Sequence, residues 1–426
     1  MNVSAEERRL LRELARKVKA ISQEPVWEQK RKLWKGKNAL RRTRPLVLCS
    51  LPEAAWDEIL PERNIAVKDP WFRRCEWELR RRIYRWENIK DDEVINDKVY
   101  VPVRRTVTDW VEGRVRPYAD RADQSARFTP SLIEYGDLKK LRFPELIVDR
   151  KATAEALGVA RDVFGDILDV IEGEPFYAGT DSQVLGWGNS LIDVLCELRG
   201  LESVFLDLYT APEFVHEAMD FLMRGSLRYL DSMEKEDLLC LNNNEFISWS
   251  NTPLGSNGLA CSDQLPGASC GPAHLTTGDL WGYTQAQEFS EVSPECHEEF
   301  VLPYQSRIAA RFGLNSYGCC EGNDKKWHAI IRHIPRLREC SVSHAANLEI
   351  AAQTLKADYV LSWKPHPVTM IASYNEDLIR KELREGFDRL AGCHSIVCLR
   401  DTQTLFGEPQ RAAGWTRVAQ EVAQEY

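Results

Sequence analysis

The densest run of reactive side chains in the sequence is Tyr317-Gly318-Cys319-Cys320-Glu321. A phenol, two thiols and a carboxylate fall within one turn's reach of each other. Thiolate and carboxylate ligands with one coordination position left open describe a catalytic zinc site. The run therefore predicts a metal centre on Cys319, Cys320 and Glu321. Side chains alternate along a strand, so Tyr317, Cys319 and Glu321 are expected on one face, with the following turn bringing Cys320 inward. Cys398, near the end of the late strand SIVCLRD, is a plausible further thiolate. The plainer alternative stays open: free cysteines are often small buried hydrophobes, and this vicinal pair is neither a CxxC nor accompanied by HExxH.

The elements that must position these residues read as strand–helix alternation. From residue 149 onward, short apolar strands such as LLCLNNNEF, LNSYGCC, LRECSVSH, YVLSWKP and SIVCLRD alternate with amphipathic helices. Residues 150–172 read as a helix and 175–181 as a strand. Such alternation implies a parallel sheet covered by helices. The expected fold is α/β, a TIM (β/α)8 barrel over 149–426, with an open doubly wound sheet as the alternative. Residues 1–148 read as an N-terminal, mainly helical extension with a small β excursion.

In a parallel barrel, function collects at the C-terminal ends of the strands. The ring of candidates there is Tyr177, Asp181, Asn243, Asn244, Glu245, Tyr317, Cys319, Cys320, Glu321, His344, Lys364, His366, Cys398, Arg400 and Asp401. The long loop from Ser248 to Gly278, rich in Gly, Ser and Pro, is expected to be a substrate lid. No GxGxxG follows a first strand and no GxxxxGK[ST] occurs, so no dinucleotide or P-loop site is signalled.

Composition narrows the partners. The 426 residues carry a net charge of −9, with 14 Lys/Arg against 5 Asp/Glu confined to residues 1–45. A nucleic-acid binder usually shows a basic domain or stripe, so nucleic acid is not an expected main partner. No run approaches 18 apolar residues, which argues against a membrane span. The charged N-terminus lacks the apolar core of a secretory signal. Cytoplasmic location and reduced thiols are therefore expected, and most of the twelve cysteines should be core filler.

The stretch VSPECHEEFVLPYQSRIAARFGLNSYGCCE (292–321) resembles a known superfamily. Its members are uroporphyrinogen decarboxylase and the zinc methyltransferases of corrinoid-dependent demethylation. The resemblance lies in their SPE..EEF..PY helix and the metal-bearing strand after it. In the methanol and methylamine methyltransferases that strand carries His-x-Cys, and a late strand adds a second cysteine. Here Tyr317 stands at the histidine's place, Cys319 matches the cysteine, and Cys398 is similar in position to the late one. Cys320 and Glu321 follow where the family has Gly and Asn. Tyrosine is a poor zinc ligand, so Cys320, Glu321 or Glu245 would have to replace the histidine.

The resemblance implies a zinc-dependent methyltransferase. It would move a methyl group from a small substrate, methoxylated aromatic or otherwise methylated, to a corrinoid (cobalamin) on a partner protein. On that expectation Glu245 and Tyr317 are catalytic. Tyr177, Asp181, Asn243, Asn244, His366 and Asp401 surround the substrate. The aromatics Tyr177, Trp187, Trp249, Trp281, Tyr283 and Trp363 suit a flat molecule. The competing expectation is a metal-free decarboxylase-like lyase on a carboxylated substrate, with Asp181 or Glu245 as acid/base. The decarboxylase's arginine-rich substrate motif has no clear counterpart, and Arg400 is the only strand-end arginine evident. A non-catalytic binding protein is the third expectation.

Overall fold

The computed structural model describes residues 2–115, 129–173, 182–186, 189–243, 261–267 and 274–426. The candidates Tyr177, Asp181, Asn244 and Glu245, and the aromatics Trp187 and Trp249, lie outside these residues, as does most of the expected lid.

Ten strands occur among the described residues: β1 Leu46–Cys49, β2 Lys98–Val101, β3 Arg105–Val107, β4 Leu146–Val148, β5 Asp169–Glu172, β6 Trp281–Thr284, β7 Leu314–Tyr317, β8 Leu337–Val342, β9 Val360–Trp363 and β10 His394–Leu399. Six of them form one parallel sheet in the order β1-β10-β9-β8-β7-β6. β2 and β5 form a separate parallel pair, and β3 and β4 an antiparallel one. The fold is thus α/β around a central parallel sheet with many helices. These ladders do not themselves show an eight-stranded closure.

Two local expectations change. Residues 150–172 are a helix only over Arg150–Phe164; the chain then turns at Gly165 and runs into β5. Residues 238–243 carry no strand, yet they lie against β6 through a side chain. The Asn242 amide donates to the Trp281 carbonyl and accepts from its N–H, both at 3.0 Å.

The N-terminal extension contributes to the main sheet. β1 pairs with β10 in parallel, Leu48 opposite Cys398. Asp92 holds this strand: its carboxylate takes both Arg44 guanidinium nitrogens at 2.7 and 2.8 Å and the Val47 N–H at 2.8 Å.

The sheet is covered on both faces, which is why its strands read as apolar runs rather than as alternation. Val47, Val397, Leu399 and Leu361 pack on the helices Trp327–His333, Leu348–Leu355, Glu376–Arg389 and Gln410–Ala423. Leu46, Leu48, Val360, Ile396 and Cys398 face the other way, against Trp27, Trp34 and Cys261. Among the described residues no helix is long and apolar enough to cross a membrane.

Candidate functional site

A cavity of about 360 Å³ opens at the C-terminal ends of the strands. Ser50 and Pro52 follow β1, Tyr283 and Gln285 come from the end of β6, Cys319 and Cys320 follow β7, and Arg400 and Asp401 follow β10. β1 and β6 are the two outermost strands of the six, yet both reach this cavity. The sheet therefore curls around it. Function at this end of a parallel sheet is the general rule. A larger cavity of about 570 Å³ lies under Trp27 and Trp86 and holds the ion pairs of Arg85 with Asp91 and Glu93. It contains none of the expected site residues.

The turn after β7 places the two thiols. Pairing with β8 shifts register between Asn315 and Ser316, a bulge of the kind common beside active sites. Gly318 then adopts φ of 96°, and a side chain there would crowd the Asn323 amide and Ser341. The strand ends at Tyr317, so the expected alternation stops there. Tyr317 faces the helices, while Cys319 and Cys320 line the cavity. The Tyr317 phenol is fully buried, 2.7 Å from His297 Nε2, and donates to Gln305 Oε1 at 3.2 Å. Tyr317, expected at the cavity, thus lies outside its lining, and Cys319, two residues on, lines it instead.

Glu321 is 2% exposed, and its carboxylate closes the turn. One oxygen accepts the Cys319 N–H at 2.7 Å and the other the Ala286 N–H at 3.3 Å. Lys364, also buried, donates to the Cys319 carbonyl at 2.9 Å and to Ser341 Oγ at 2.5 Å.

The two sulfurs lie 3.6 Å apart. Cys320 Sγ is in turn 3.5 Å from Asp401 Oδ2. Asp401 sits in the left-handed region at φ of 61°, unusual for a residue other than glycine, and this conformation follows directly from the end of β10. Hydrogen bonding from Cys320, helped by the Arg400 and Lys364 charges and opposed by burial, lowers the Cys319 thiol to about 6. Cys320 is pushed up, first by its hydrogen bond to Cys319, then by burial and the neighbouring negative charge. Burial alone would pull Arg400 down, but Cys319, Asp401 and Cys320 keep it firmly charged. Tyr283 is fully buried against Cys319, and burial followed by that thiolate's charge holds its phenol protonated.

Cys398 takes another position. It is fully buried in the apolar cluster with Leu46, Leu48 and Trp34, and burial pushes its thiol up to about 12. Asn243 is 1% exposed, and all four hydrogen bonds of its amide are made within the protein. Nδ2 donates to the Ser262 and Leu265 carbonyls, and Oδ1 accepts from Ser262 N–H and Trp281 Nε1. It clamps the 261–267 segment to β6. His366 lies outside the cavity lining; it is exposed and stacks edge-on with His344, ring centres 4.7 Å apart. The structure thus brings together Cys319, Cys320 and Asp401, with Glu321 beneath them.

Asp193, Gln285, Gln287, Glu288 and Gln403 also line the cavity and were not singled out from the sequence. Gln285 and Gln287 follow β6 directly, so the strand-end rule could have found them. Asp193 sits on the helix Leu191–Arg199, where no local pattern marks it.

Among the described residues, no group of three or more His, Cys, Asp and Glu side chains is gathered closely enough to hold a metal ion as it stands. The thiol pair nevertheless has a suitable bite. Two sulfurs each ~2.3 Å from a tetrahedral zinc stand roughly 3.7 Å apart, and these are 3.6 Å apart.

No family model matches the chain, and no curated protein matches it. Among solved structures it is similar to a methyltransferase from Methanosarcina mazei. That likeness has 12% identity and a TM-score of 0.47, and covers 92% of this chain and 97% of the other.

Proposed function

We propose that this chain is a methyltransferase of the corrinoid-dependent demethylase type, belonging to the uroporphyrinogen decarboxylase superfamily. It takes a methyl group from a small methylated substrate, such as a methoxylated aromatic, and passes it to a corrinoid on a partner protein. The observation that carries this reading is the Cys319–Cys320 thiol pair, sulfurs 3.6 Å apart, facing a polar cavity at the C-terminal end of a parallel sheet, with Cys319 held toward thiolate. Thiolate is the form that binds soft metals and attacks electrophiles.

Cys319 and Cys320 are the residues that would hold zinc, with Asp401 beside them. When bound, zinc supplies a Lewis acid that polarises the ether oxygen. The chain's own residues do the rest. Arg400 and Lys364 stabilise negative charge on Cys319, and Glu321 fixes the turn that presents it. Tyr283 offers an aromatic wall, and the Gln287 and Gln403 amides can orient polar substituents. We place the protein in the cytoplasm, a compartment that would keep the Cys319 and Cys320 thiols reduced.

Zinc analysis combined with methyl transfer from methoxylated aromatics to a corrinoid tests the proposal. Stoichiometric zinc, lost together with activity in Cys319→Ala, is expected. A metal-free protein whose activity survives that substitution would overturn it. Chelator-insensitive release of carbon dioxide from a porphyrinogen would point to the lyase alternative.

A further inference from the structure

Demethylation of an ether has a proton requirement. The C–O bond breaks, the methyl carbon bonds to cobalt using the electron pair of Co(I), and the released oxygen must gain a proton to leave as an alcohol or phenol. A second acid in the cavity meets this requirement.

Asp193 lines the cavity with Cys319 and Cys320 and is 7% exposed. Its Oδ2 accepts from Gln285 Nε2 at 2.6 Å. The Ser190 hydroxyl lies alongside, yet Oδ1 makes no well-formed hydrogen bond among the described residues. The charged groups that bear on it most are Glu288 and Glu321, and both are acidic. Asp401, across the same cavity, is placed differently, with the Arg400 guanidinium 3.6 Å away. The cavity thus holds three carboxyl groups, Asp193, Glu288 and Asp401, with Asp193 set among acidic neighbours and Asp401 beside a guanidinium.

We propose that Asp193 is the acid that delivers a proton to the leaving oxygen when the methyl group departs. Burial first, then the Glu288 and Glu321 charges, keep its carboxyl protonated well above the usual carboxylate range; Ser190 and Gln285 offset this only in part. The Gln285 hydrogen bond fixes the carboxyl at the cavity wall. This inference rests on the methyl-transfer reading.

The test is Asp193→Asn in the full chain, assayed with its corrinoid partner on aryl methyl ethers whose phenols span a wide range of acidity. General acids contribute about 100-fold or more. Loss of that size is expected on ethers of weakly acidic phenols. Little loss is expected on nitro-substituted ethers or methylated ammonium donors, whose leaving groups need no proton. A uniform loss, or none, overturns the proposal. Infrared difference spectra of the resting protein give a separate readout. A protonated-carboxyl band at neutral pH that Asp193→Asn lacks supports the assignment. Absence of that band, with methyl transfer intact, overturns Asp193 alone. A band without methyl transfer to any corrinoid removes the parent reading, and the catalytic role with it.

Discussion

The sulfurs of Cys319 and Cys320 lie 3.6 Å apart and are chemically unequal: Cys319 is held toward thiolate while Cys320 keeps the proton between them. Each shift is the other's cause. The shared hydrogen bond stabilises charge on one sulfur, and that charge opposes ionisation of the next.

Cys320→Ala removes the donor. In chelator-treated protein the Cys319 thiol should then titrate closer to the ordinary value of about 8.5. Its alkylation by iodoacetamide at neutral pH should slow by roughly ten-fold. Mass spectrometry of the Cys319 peptide over a pH series reads the shift directly. An unchanged pH profile would show that Arg400 and Lys364 set the thiolate without Cys320.

His297 is buried, and that burial, with the Lys326 and His333 charges, holds its imidazole down to about 3. The unfolded value is about 6.5. A folded value below the unfolded one gives stability that is full above the unfolded pKa and is lost as pH falls toward the folded one. The expected slope is up to about 1.4 kcal/mol per pH unit within that window. Urea midpoints between about pH 7 and 4 should fall in the native protein, and fall less in His297→Gln.

Tyr317→Phe removes the hydroxyl shared by His297 and Gln305 and leaves both without it. A cost of about 1–3 kcal/mol is expected. Cys319 alkylation should be unchanged, because the phenol faces the helices and not the cavity. A selective loss of turnover with stability intact would restore Tyr317 to a direct role in the reaction.

Asp92→Ala strands Arg44 beside β1. Breaking such a pair typically costs about 3–5 kcal/mol. Since β1 is paired along its length with β10, the whole sheet should destabilise. Chemical denaturation should therefore show a lower midpoint of the main transition. Loss confined to the N-terminal helices in hydrogen exchange would contradict this.

Gly386 lies on the helix Glu376–Arg389, packed onto the Trp363 indole so closely that an added Cβ would collide with the ring. Gly386→Ala should therefore destabilise by about 1–3 kcal/mol through overpacking, despite the better helix propensity of alanine. Thermal melts of the two proteins decide the sign.

Much of the local architecture was legible in the sequence. Ser293 and Pro294 start the helix Pro294–Phe300, with Ser293 Oγ accepting the Cys296 N–H at 3.2 Å. The five last strands fall where apolar runs alternate with amphipathic helices. Caps and hydrophobic periods act over a few residues, so they can be read directly. The cluster at 317–321 was legible as chemistry, but the direction of its side chains was not. Gly318 turns the chain between Tyr317 and Cys319, and the room it occupies is set by Ser341 on β8 and by Asn323.

The sequence by itself determined the five late strands with the helices between them, and that thiols and carboxylates gather at a strand end. Tertiary structure alone decided that residues 46–49 join a strand 350 positions later, Leu48 beside Cys398. It also decided that Cys398 belongs to the core, that Asn243 clamps a loop, and that Asp193 enters the cavity. The reason is physical. Propensity and capping depend on neighbours along the chain. Burial and electrostatic environment depend on neighbours in space, and these set which of Cys319, Cys320 and Asp193 carries a proton.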